Sequence, residues 1–220
     1  MTITIKKFKS INFESWNNFI YSSNNGTIFH NRLFLNYHID KSFKDHSLIF
    51  KKGDKILAVL PASQINCSSK KVLHSHPGIS FGSFVYNSFL SFKDTVNIVK
   101  LLFEYVKKNS FDSIIITIAP TIYSDVNCDY FEYSLFKMGA YLNNLELSSI
   151  VKLGSSLDVL INNIKSSHRR AARKAKNNGV TVKISKDYDS FYSILINNLE
   201  LRHDVQPTHS LVELHKLVKL

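Results

Sequence analysis

Hydrophobic residues recur along this chain with two periods, one of every second residue and one of every third or fourth. Near the N-terminus, the alternation in "TITIKKF" predicts a strand. The helical spacing of apolar residues in "FESWNNFIYSS" predicts a helix directly after that strand, and the short run "NRLFLNYH" predicts another. The chain therefore starts with one strand and two helices.

A β-rich region follows. Both arms of "HSLIFKKGDKILAVLPASQ" are rich in strand-forming residues, and Gly53-Asp54 between them is typical of a two-residue hairpin turn. The stretch "KKVLHSHPGISFGSFV" continues the predicted sheet and is interrupted at Pro77-Gly78. Several strands therefore lie close together in the sequence before the next helix.

The middle of the chain alternates between helices and strands. The run "SFKDTVNIVKLLFEYVKKN" predicts an amphipathic helix, and the nearly continuous apolar run "SIIITIAP" predicts a strand buried on both faces. A helix in "DYFEYSLFKMGA" is expected to end at Gly139, and "AYLNNLELSSIVKL" predicts a long strand.

After residue 154 the pattern starts again. The apolar stripe of "SLDVLINNIKSSHRRAARKAKNNG" predicts one long helix, with Ser155 as its N-terminal cap and Asn178-Gly179 as its C-terminal stop. A strand in "VTVKIS" and helices in "SFYSILINNLELRH" and "HSLVELHKLVKL" are expected to follow.

These elements predict a mixed α/β fold, with α+β character in its mixed sheet. We expect a first lobe over residues 1–154. Residues 155–220 are expected to form a linking basic helix and the beginning of a second lobe. Because residue 220 falls inside a predicted helix, we expect that lobe to be incomplete, either because the chain continues or because it is naturally truncated.

Positive charge is concentrated in one place. The 220-residue chain has a formal net charge of +11. Six cations lie within twelve residues: Lys165, Arg169, Arg170, Arg173, Lys174 and Lys176. Such a localised patch favours one anionic contact over a generally adhesive surface, with a solvated helix face as the alternative.

Cysteine content and hydropathy indicate the cellular compartment in which the protein resides. The two cysteines, Cys67 and Cys128, are too few for a disulfide framework and lack metal-ligand spacing. The N-terminus has no apolar signal core, and no apolar run approaches the ~18 residues that a membrane span needs. We therefore expect a cytoplasmic protein without a transmembrane segment.

Several pieces of the sequence, taken in order, resemble the FemAB-like branch of the GNAT acyltransferase superfamily. The most specific is "RRAARKAKNNGV", which is similar to the basic "R-x-x-x-R-K-A-x-x-x-G-V" helix end of these families. The other matching pieces are "GTIFHNRLFLNYH", "SLIFKKGDKILAVLPAS", "HSHPGISFGSFV", "APTIY" and "LFKMGAYLNNLELSSIVKL". The resemblance covers roughly residues 16–215.

The resemblance implies two GNAT-like lobes joined by a helical element, and transfer of an acyl or aminoacyl group to an amine. In the members that build peptidoglycan bridges, the donor is an aminoacyl-tRNA and the acceptor is an anionic cell-wall precursor; other relatives are described only as N-acetyltransferase-like. None of the seven glycines forms the G-x-G of a coenzyme A loop. No cofactor is therefore predicted, and acyl-CoA and aminoacyl-tRNA both stay open as donor substrates, as does the oligomeric state.

The basic helix end is the first candidate binding site. Arg169 and Arg173 lie four residues apart on one helix face, and Lys174 lies on the neighbouring stripe. Arginine matches phosphate oxygens with two parallel hydrogen bonds, so a diphosphate or a tRNA backbone is a suitable ligand. Two alternatives stay open: a basic nucleic-acid-binding or tRNA-binding module, and a catalytically inactive GNAT-like scaffold.

Three further residues are candidates for substrate binding. His76 lies in a turn at a strand end and could take a proton from an attacking amine. Tyr123 follows the predicted buried strand, in a position where loops commonly hold ligands. Arg202 precedes a proline-marked break between helices that resembles the acceptor side of the second lobe. His74 and His76 could share a strand face, but without a third ligand nearby no metal site is predicted, and the catalytic residues stay open.

Overall fold

The computed structural model describes residues 2–37, 43–153 and 156–220. The chain forms two compact units, one of residues 1–141 together with 208–220, and the other of residues 142–207. The predicted division into 1–154 and 155–220 stays a prediction.

Two four-stranded sheets form the first unit. Its strands are β1 (Ile3–Lys7), β2 (Lys44–Asp45), β3 (Leu48–Lys52), β4 (Lys55–Leu60), β5 (Ser63–Cys67), β6 (Lys70–His74), β7 (Val85–Tyr86) and β8 (Ser113–Ile115). The first sheet is antiparallel in the order β1-β3-β4-β7. The second has the order β2-β5-β6-β8, and only its β6–β8 pair is parallel. The predicted mixed α/β fold is confirmed.

The first unit also contains helices. They are α1 (Phe13–Tyr21), α2 (Arg32–Leu35), α3 (Phe92–Lys108), α4 (Tyr130–Lys137) and, after the second unit, α8 (Leu211–Leu217). The Ser91 hydroxyl caps α3 by accepting from the Asp94 N–H at 3.1 Å. The predicted stripe of α3 includes Val99 and Leu102, which are fully buried in the core. Trp16 of α1 packs with Ile49 and Val59 in a second cluster.

The hairpin of β3 and β4 forms where the sequence predicts it. Lys52 pairs with Lys55, which leaves Gly53 and Asp54 as the two-residue turn. The strand predicted from "SIIITIAP" is shorter and more exposed than expected. Its ordered part, β8, has three residues, and Ile115 remains 42% exposed. The predicted burial on both faces is therefore wrong, because the side chains of β8 remain partly exposed.

The second unit contains α5 (Leu157–Asn163), α6 (Ser166–Asn177) and α7 (Tyr188–His203). The single long helix predicted here is therefore wrong. Ile164 and Lys165 adopt ψ angles of 137° and 141°, which end α5 and start α6. Ser155 lies outside the described residues. The neighbouring Ser156 caps α5 by accepting from the Val159 N–H at 3.4 Å.

Two predicted strands do not form. Residues 141–153 and 180–185 contain no strand, although their sequences alternate like strands. Among the described residues of the second unit, no backbone hydrogen bond joins residues 142–153 to another segment. A strand needs a neighbour with which to pair its N–H and C=O groups, and the described part of this unit supplies none.

Candidate functional site

The loop after β8 is held in place by Asn24. This loop runs through a single 3-10 turn, Thr121–Tyr123, and leads to α4. The Asn24 side-chain amide donates to the Val126 carbonyl at 2.9 Å and accepts from the Val126 N–H at 2.9 Å. The Asn24 backbone carbonyl also accepts from the Asp125 N–H at 2.9 Å. Asn24 therefore fixes the middle of the loop through three hydrogen bonds to the adjacent residues Asp125 and Val126.

The neighbouring Asn25 fixes β7, the strand next to that loop. Its side-chain amide donates to the Phe84 carbonyl at 2.8 Å and accepts from the Tyr86 N–H at 3.1 Å. Both bonds are buried, so they are protected from competition by water. The sequence "NNG" at residues 24–26 indicates only a turn, so the roles of these two asparagines were not predicted.

Two adjacent hollows lie beside this loop. The smaller has a volume of about 30 Å³, close to that of one water molecule, and its wall includes Ser83, Thr121, Ser124 and Glu132. The larger is an open hollow of about 510 Å³. The wall of the larger hollow is formed by Phe92, Asn127, Cys128, Asp129, Tyr130 and Tyr133. Cys128 and Asp129 line both hollows, which are therefore neighbours and together make up the candidate site.

Glu132 is the reactive group best placed in this site. It lies in the first turn of α4, and its Oε2 atom is buried without a hydrogen-bond partner among the described residues. Burial raises the pKa of the Glu132 carboxyl, and the negative charge of Asp129 raises it further. A carboxyl group with a raised pKa is a stronger base, which suits proton transfer near neutral pH. The sequence does not single out this residue.

Tyr123 lies on the loop that borders the smaller hollow. Its ring packs on Phe81 at a centroid distance of 5.1 Å, and the side chain is 49% exposed. Thr121 and Ser124 of the same loop line the hollow, whereas Tyr123 itself lies beside them. The structure therefore brings Tyr123 near the candidate site without making it part of the wall.

His76 occupies a buried turn. The residue is 3% exposed, has a φ of +44°, and donates its backbone N–H to the His74 carbonyl at 2.7 Å. Its ring packs edge-on against Phe43 at 5.2 Å. His76 is not among the residues that line either hollow. Among the described residues, His76 belongs to no group of three metal-ligating side chains.

His30 is a buried histidine whose ring and backbone carbonyl hold neighbouring segments together. Its Nδ1 atom accepts from the Thr27 N–H at 3.0 Å, so its Nε2–H donates to the Gly82 carbonyl at 3.0 Å. Burial lowers the pKa of His30 to about 4, which keeps the ring neutral at physiological pH. The His30 carbonyl also accepts from the Trp16 indole at 2.8 Å. His30 therefore joins α1 and α2 to the Gly82 segment.

In the second unit, the predicted anion-binding residues divide into two kinds. The Arg169 guanidinium donates to the Asn162 carbonyl at 2.9 Å and to the Ile161 carbonyl at 3.4 Å. It thereby satisfies carbonyls at the C-terminal end of α5. Arg173 and Lys174 are exposed and form no ion pair or hydrogen bond through their side chains within the described ranges. Both side chains are therefore available to an anion, as are those of the exposed Arg170 and Lys176.

Arg202 lies exposed in the last turn of α7. Asp204 ends that helix in a left-handed conformation, with φ of +53°, and Gln206 donates to the Glu200 carboxylate at 2.6 Å. His209, which the sequence places near Arg202, belongs to the first unit, where its ring lies 3.3 Å from the Tyr37 hydroxyl. The second unit therefore carries Arg202 together with Arg173 and Lys174.

No helix in the described ranges is both long and apolar enough to cross a membrane. No model of a known protein family matches the sequence. No curated protein matches it either.

Solved structures do match the fold. A GNAT family acetyltransferase from Staphylococcus aureus is 14% identical, and the match covers 69% of this chain and all of that one, with a TM-score of 0.43. FemX is 15% identical, and the match covers 97% of this chain with a TM-score of 0.58. The match covers 54% of FemX, so this chain spans about half the length of that protein. The chain therefore has the GNAT-like α/β fold of FemX, as its resemblance to the FemAB-like branch predicted.

Proposed function

We propose that this chain belongs to an N-acyltransferase that moves an acyl or aminoacyl group from an activated donor to an amine. The observation that carries the proposal is the likeness to FemX, which extends over 97% of the chain and so includes both units. The candidate site beside α4 supports it, because Glu132, a carboxyl group with a raised pKa, lines the smaller hollow, and the larger hollow of about 510 Å³ lies beside it.

The proposed reaction needs few specialised groups. The amine nitrogen forms a bond to the donor carbonyl carbon, and the bond from that carbon to the sulfur or oxygen of the donor breaks. The attacking nitrogen must also lose a proton. We assign this proton to the Glu132 carboxylate in place of His76, because Glu132 lines the smaller hollow and His76 lines neither. Holding amine and carbonyl together is worth ~7–11 kcal/mol of the barrier.

The proposed acceptor is an anionic cell-wall precursor that carries a diphosphate. Arg173, Lys174 and Arg202 suit such a ligand because their positive charges are exposed and lack partners among the described residues. Arg169 adds positive charge nearby on α6 while it holds the end of α5. The donor is an acyl-CoA or an aminoacyl-tRNA.

A transfer assay with two donors tests this proposal. The purified protein is incubated with radiolabelled acetyl-CoA or alanyl-tRNA and with a muropeptide linked to a nucleoside diphosphate as acceptor. We expect label on the acceptor amine with one of the two donors, and a rate lowered about a hundredfold by Glu132→Gln. Binding of the acceptor without transfer from either donor would contradict the enzyme and favour the inactive scaffold.

The basic nucleic-acid-binding module is distinguished in the same experiment. Such a module would bind random DNA and uncharged tRNA equally, with an affinity that falls steeply as salt increases. The transferase is expected to be saturated by its acceptor in the absence of any nucleic acid.

A further inference from the structure

The larger hollow of the candidate site combines aromatic walls with one carboxylate. The described residues that line it all belong to the first unit, so the hollow is a feature of that unit alone. Three of them are aromatic, namely Phe92, Tyr130 and Tyr133, and Asp129 supplies the carboxylate. None of the described lining residues is a lysine, an arginine or a histidine.

The three aromatic rings are tilted against one another and do not stack. The Phe92 ring lies 5.3 Å from the Tyr130 ring and 5.7 Å from the Tyr133 ring, at interplanar angles of 71° and 56°. Each of the three residues is between 42% and 51% exposed, so part of every ring is open to a ligand. The face of an aromatic ring attracts cations. Tyr133 already does so within the chain, since the Lys137 Nζ atom lies 5.7 Å from the centre of its ring.

Asp129 gives the hollow a negative charge. It is exposed, and its carboxylate forms no ion pair or hydrogen bond with the described parts of the chain. The N-terminus of α4, where Asp129 lies, contributes a positive charge of about half an elementary charge, which is smaller than the full charge of the carboxylate. Burial raises the pKa of Glu132, and the charge of Asp129 raises it further, as expected for a carboxylate whose charge is not neutralised. The hollow therefore suits a cation both in its charge and in its rings.

We propose that the larger hollow binds an aliphatic ammonium ion, with the charged nitrogen beside the Asp129 carboxylate and the carbon chain against the three aromatic rings. The role of this ion rests on the proposed function, in which it is the amine acceptor in its protonated form. An alkyl amine with the pKa of a lysine side chain carries a positive charge at neutral pH. Such a charge also favours the ionised form of the nearby Glu132 carboxyl, so the acceptor promotes formation of the base.

Two probes that differ in charge test the site. n-Butylammonium and 1-butanol have the same carbon chain and nearly the same size. Binding of each to the unmodified protein is measured by NMR, without any acyl donor. We expect the ammonium ion to bind at least about tenfold more tightly than the alcohol. Equal affinities, or no binding of the ammonium ion, would overturn the site.

Substitutions locate the binding. Asp129→Asn should weaken butylammonium binding about tenfold, whereas Asp125→Asn removes an exposed carboxylate of the same loop that does not line the hollow and should have little effect. Tyr130→Phe keeps the ring and should keep the affinity, and Tyr130→Leu should lower it. An equal loss in Asp125→Asn and Asp129→Asn would mean that net charge alone attracts the cation, and would contradict the site.

Competition separates this inference from the proposed function. In the transfer assay, butylammonium should raise the KM for the acceptor and leave kcat unchanged. Transfer that is unaffected by saturating butylammonium would overturn the site and leave the transferase standing. Asp129-dependent binding of butylammonium to a protein without transfer activity would support the cation site and contradict the proposed function alone.

Discussion

Arg32 forms a buried ion pair with Asp45, in which the guanidinium Nη2 atom lies 2.6 Å from the carboxylate Oδ2 atom. The Arg32 side chain is 3% exposed, and its guanidinium carbon lies 3.9 Å from the centre of the Phe8 ring. A second hydrogen bond joins Arg32 to the Ser47 hydroxyl at 3.0 Å. This arrangement ties α2 to β2 and to the entry of β3.

We predict that Arg32→Met destabilises the protein by about 3 kcal/mol, because it leaves the Asp45 carboxylate half-buried without its partner. Urea unfolding at pH 7 measures the loss. Arg32→Met with Asp45→Asn is the control, and it should recover part of the stability because no uncompensated charge remains. If the double variant is as unstable as the single one, packing on Phe8 and not the charge is responsible.

Asp45 also gives this ion pair an acid dependence. Burial raises the pKa of Asp45, but the Arg32 charge and the hydrogen bonds from Ser47 outweigh burial and bring the pKa below its usual range. The stabilisation from this carboxylate is therefore present above about pH 4 and is lost as the pH falls below that value. The Arg32→Met variant should lack this part of the acid transition.

His30 should make stability fall at a higher pH than Asp45 does. The unfolded chain binds a proton at His30 below about pH 6.5, whereas the folded chain does so only near its pKa of about 4. Stability is therefore complete above about pH 6.5 and declines as the pH falls toward 4, by at most about 3 kcal/mol.

We predict that His30→Gln flattens this decline in unfolding free energy between pH 6.5 and 4. The flattening is partial, because burial also lowers the pKa values of His46 and His74. His203→Gln is the matched control, since this exposed histidine lies in the last turn of α7. An equal effect of both substitutions would contradict the assignment to His30.

Local signals explain which parts of the fold could be predicted. Gly53-Asp54 and the apolar stripe of α3 each act within a few residues, and both gave elements where expected. The break between α5 and α6 has no glycine or proline to indicate it, and it is stabilised by Arg169 from the following helix. The strand-like segments failed to form strands because a strand also depends on a neighbour.

The candidate site was predictable only in part. Loops at strand ends commonly bind ligands, which led to the Tyr123 loop. Asn24 contacts that loop from 102 residues away in sequence, and no local pattern announces such a contact. Glu132 was missed for the same reason, since its raised pKa depends on burial by distant parts of the chain.

The cations on α6 differ in their contacts, since Arg169 donates to carbonyls of α5 whereas Arg173 and Lys174 are exposed. We predict that Arg173→Ala/Lys174→Ala weakens binding of inorganic pyrophosphate about tenfold or more, with an unchanged circular dichroism spectrum. Arg169→Ala should instead lower helix content and stability by about 1 kcal/mol, because carbonyls of α5 lose their donor.

Lys183→Ala/Lys186→Ala provides the matched control for these cations. It removes two exposed positive charges from the same unit but leaves α6 intact. Titration calorimetry at two salt concentrations compares the variants. An equal loss of affinity in the control would mean that net charge alone attracts the anion, and would contradict a site on α6.

Glu132→Gln should separate activity from stability. Burial raises the Glu132 pKa, so ionisation of this carboxyl group at pH 8 lowers the stability of the folded protein. The contribution of Glu132 to stability is therefore fully present below the pKa that Glu132 has in the unfolded chain. The protein loses this contribution as the pH rises through the pKa of Glu132 in the folded protein. The amide removes the charge, so we expect an equal or higher melting temperature together with slower acyl transfer.

Glu104→Gln is the control for that comparison, since Glu104 is exposed on α3. Melting temperature and transfer rate are measured for both variants at pH 8. A Glu132→Gln variant that is less stable and equally active would identify Glu132 as a structural residue and remove it from the reaction.

Gly179 ends α6 in a left-handed conformation with φ of +80°. Its N–H donates to the Lys176 carbonyl at 3.1 Å, and the Val180 N–H donates to the Ala175 carbonyl at 3.0 Å, which together form a Schellman motif. A Cβ atom added at Gly179 would meet no atom within 4 Å, so a substitution acts through the backbone conformation alone.

We predict that Gly179→Val destabilises the protein by about 1–2 kcal/mol, measured by urea unfolding, because a β-branched residue resists positive φ. Gly179→Asn should lose less, since asparagine tolerates this conformation; equal losses would show that the motif does not depend on the left-handed residue.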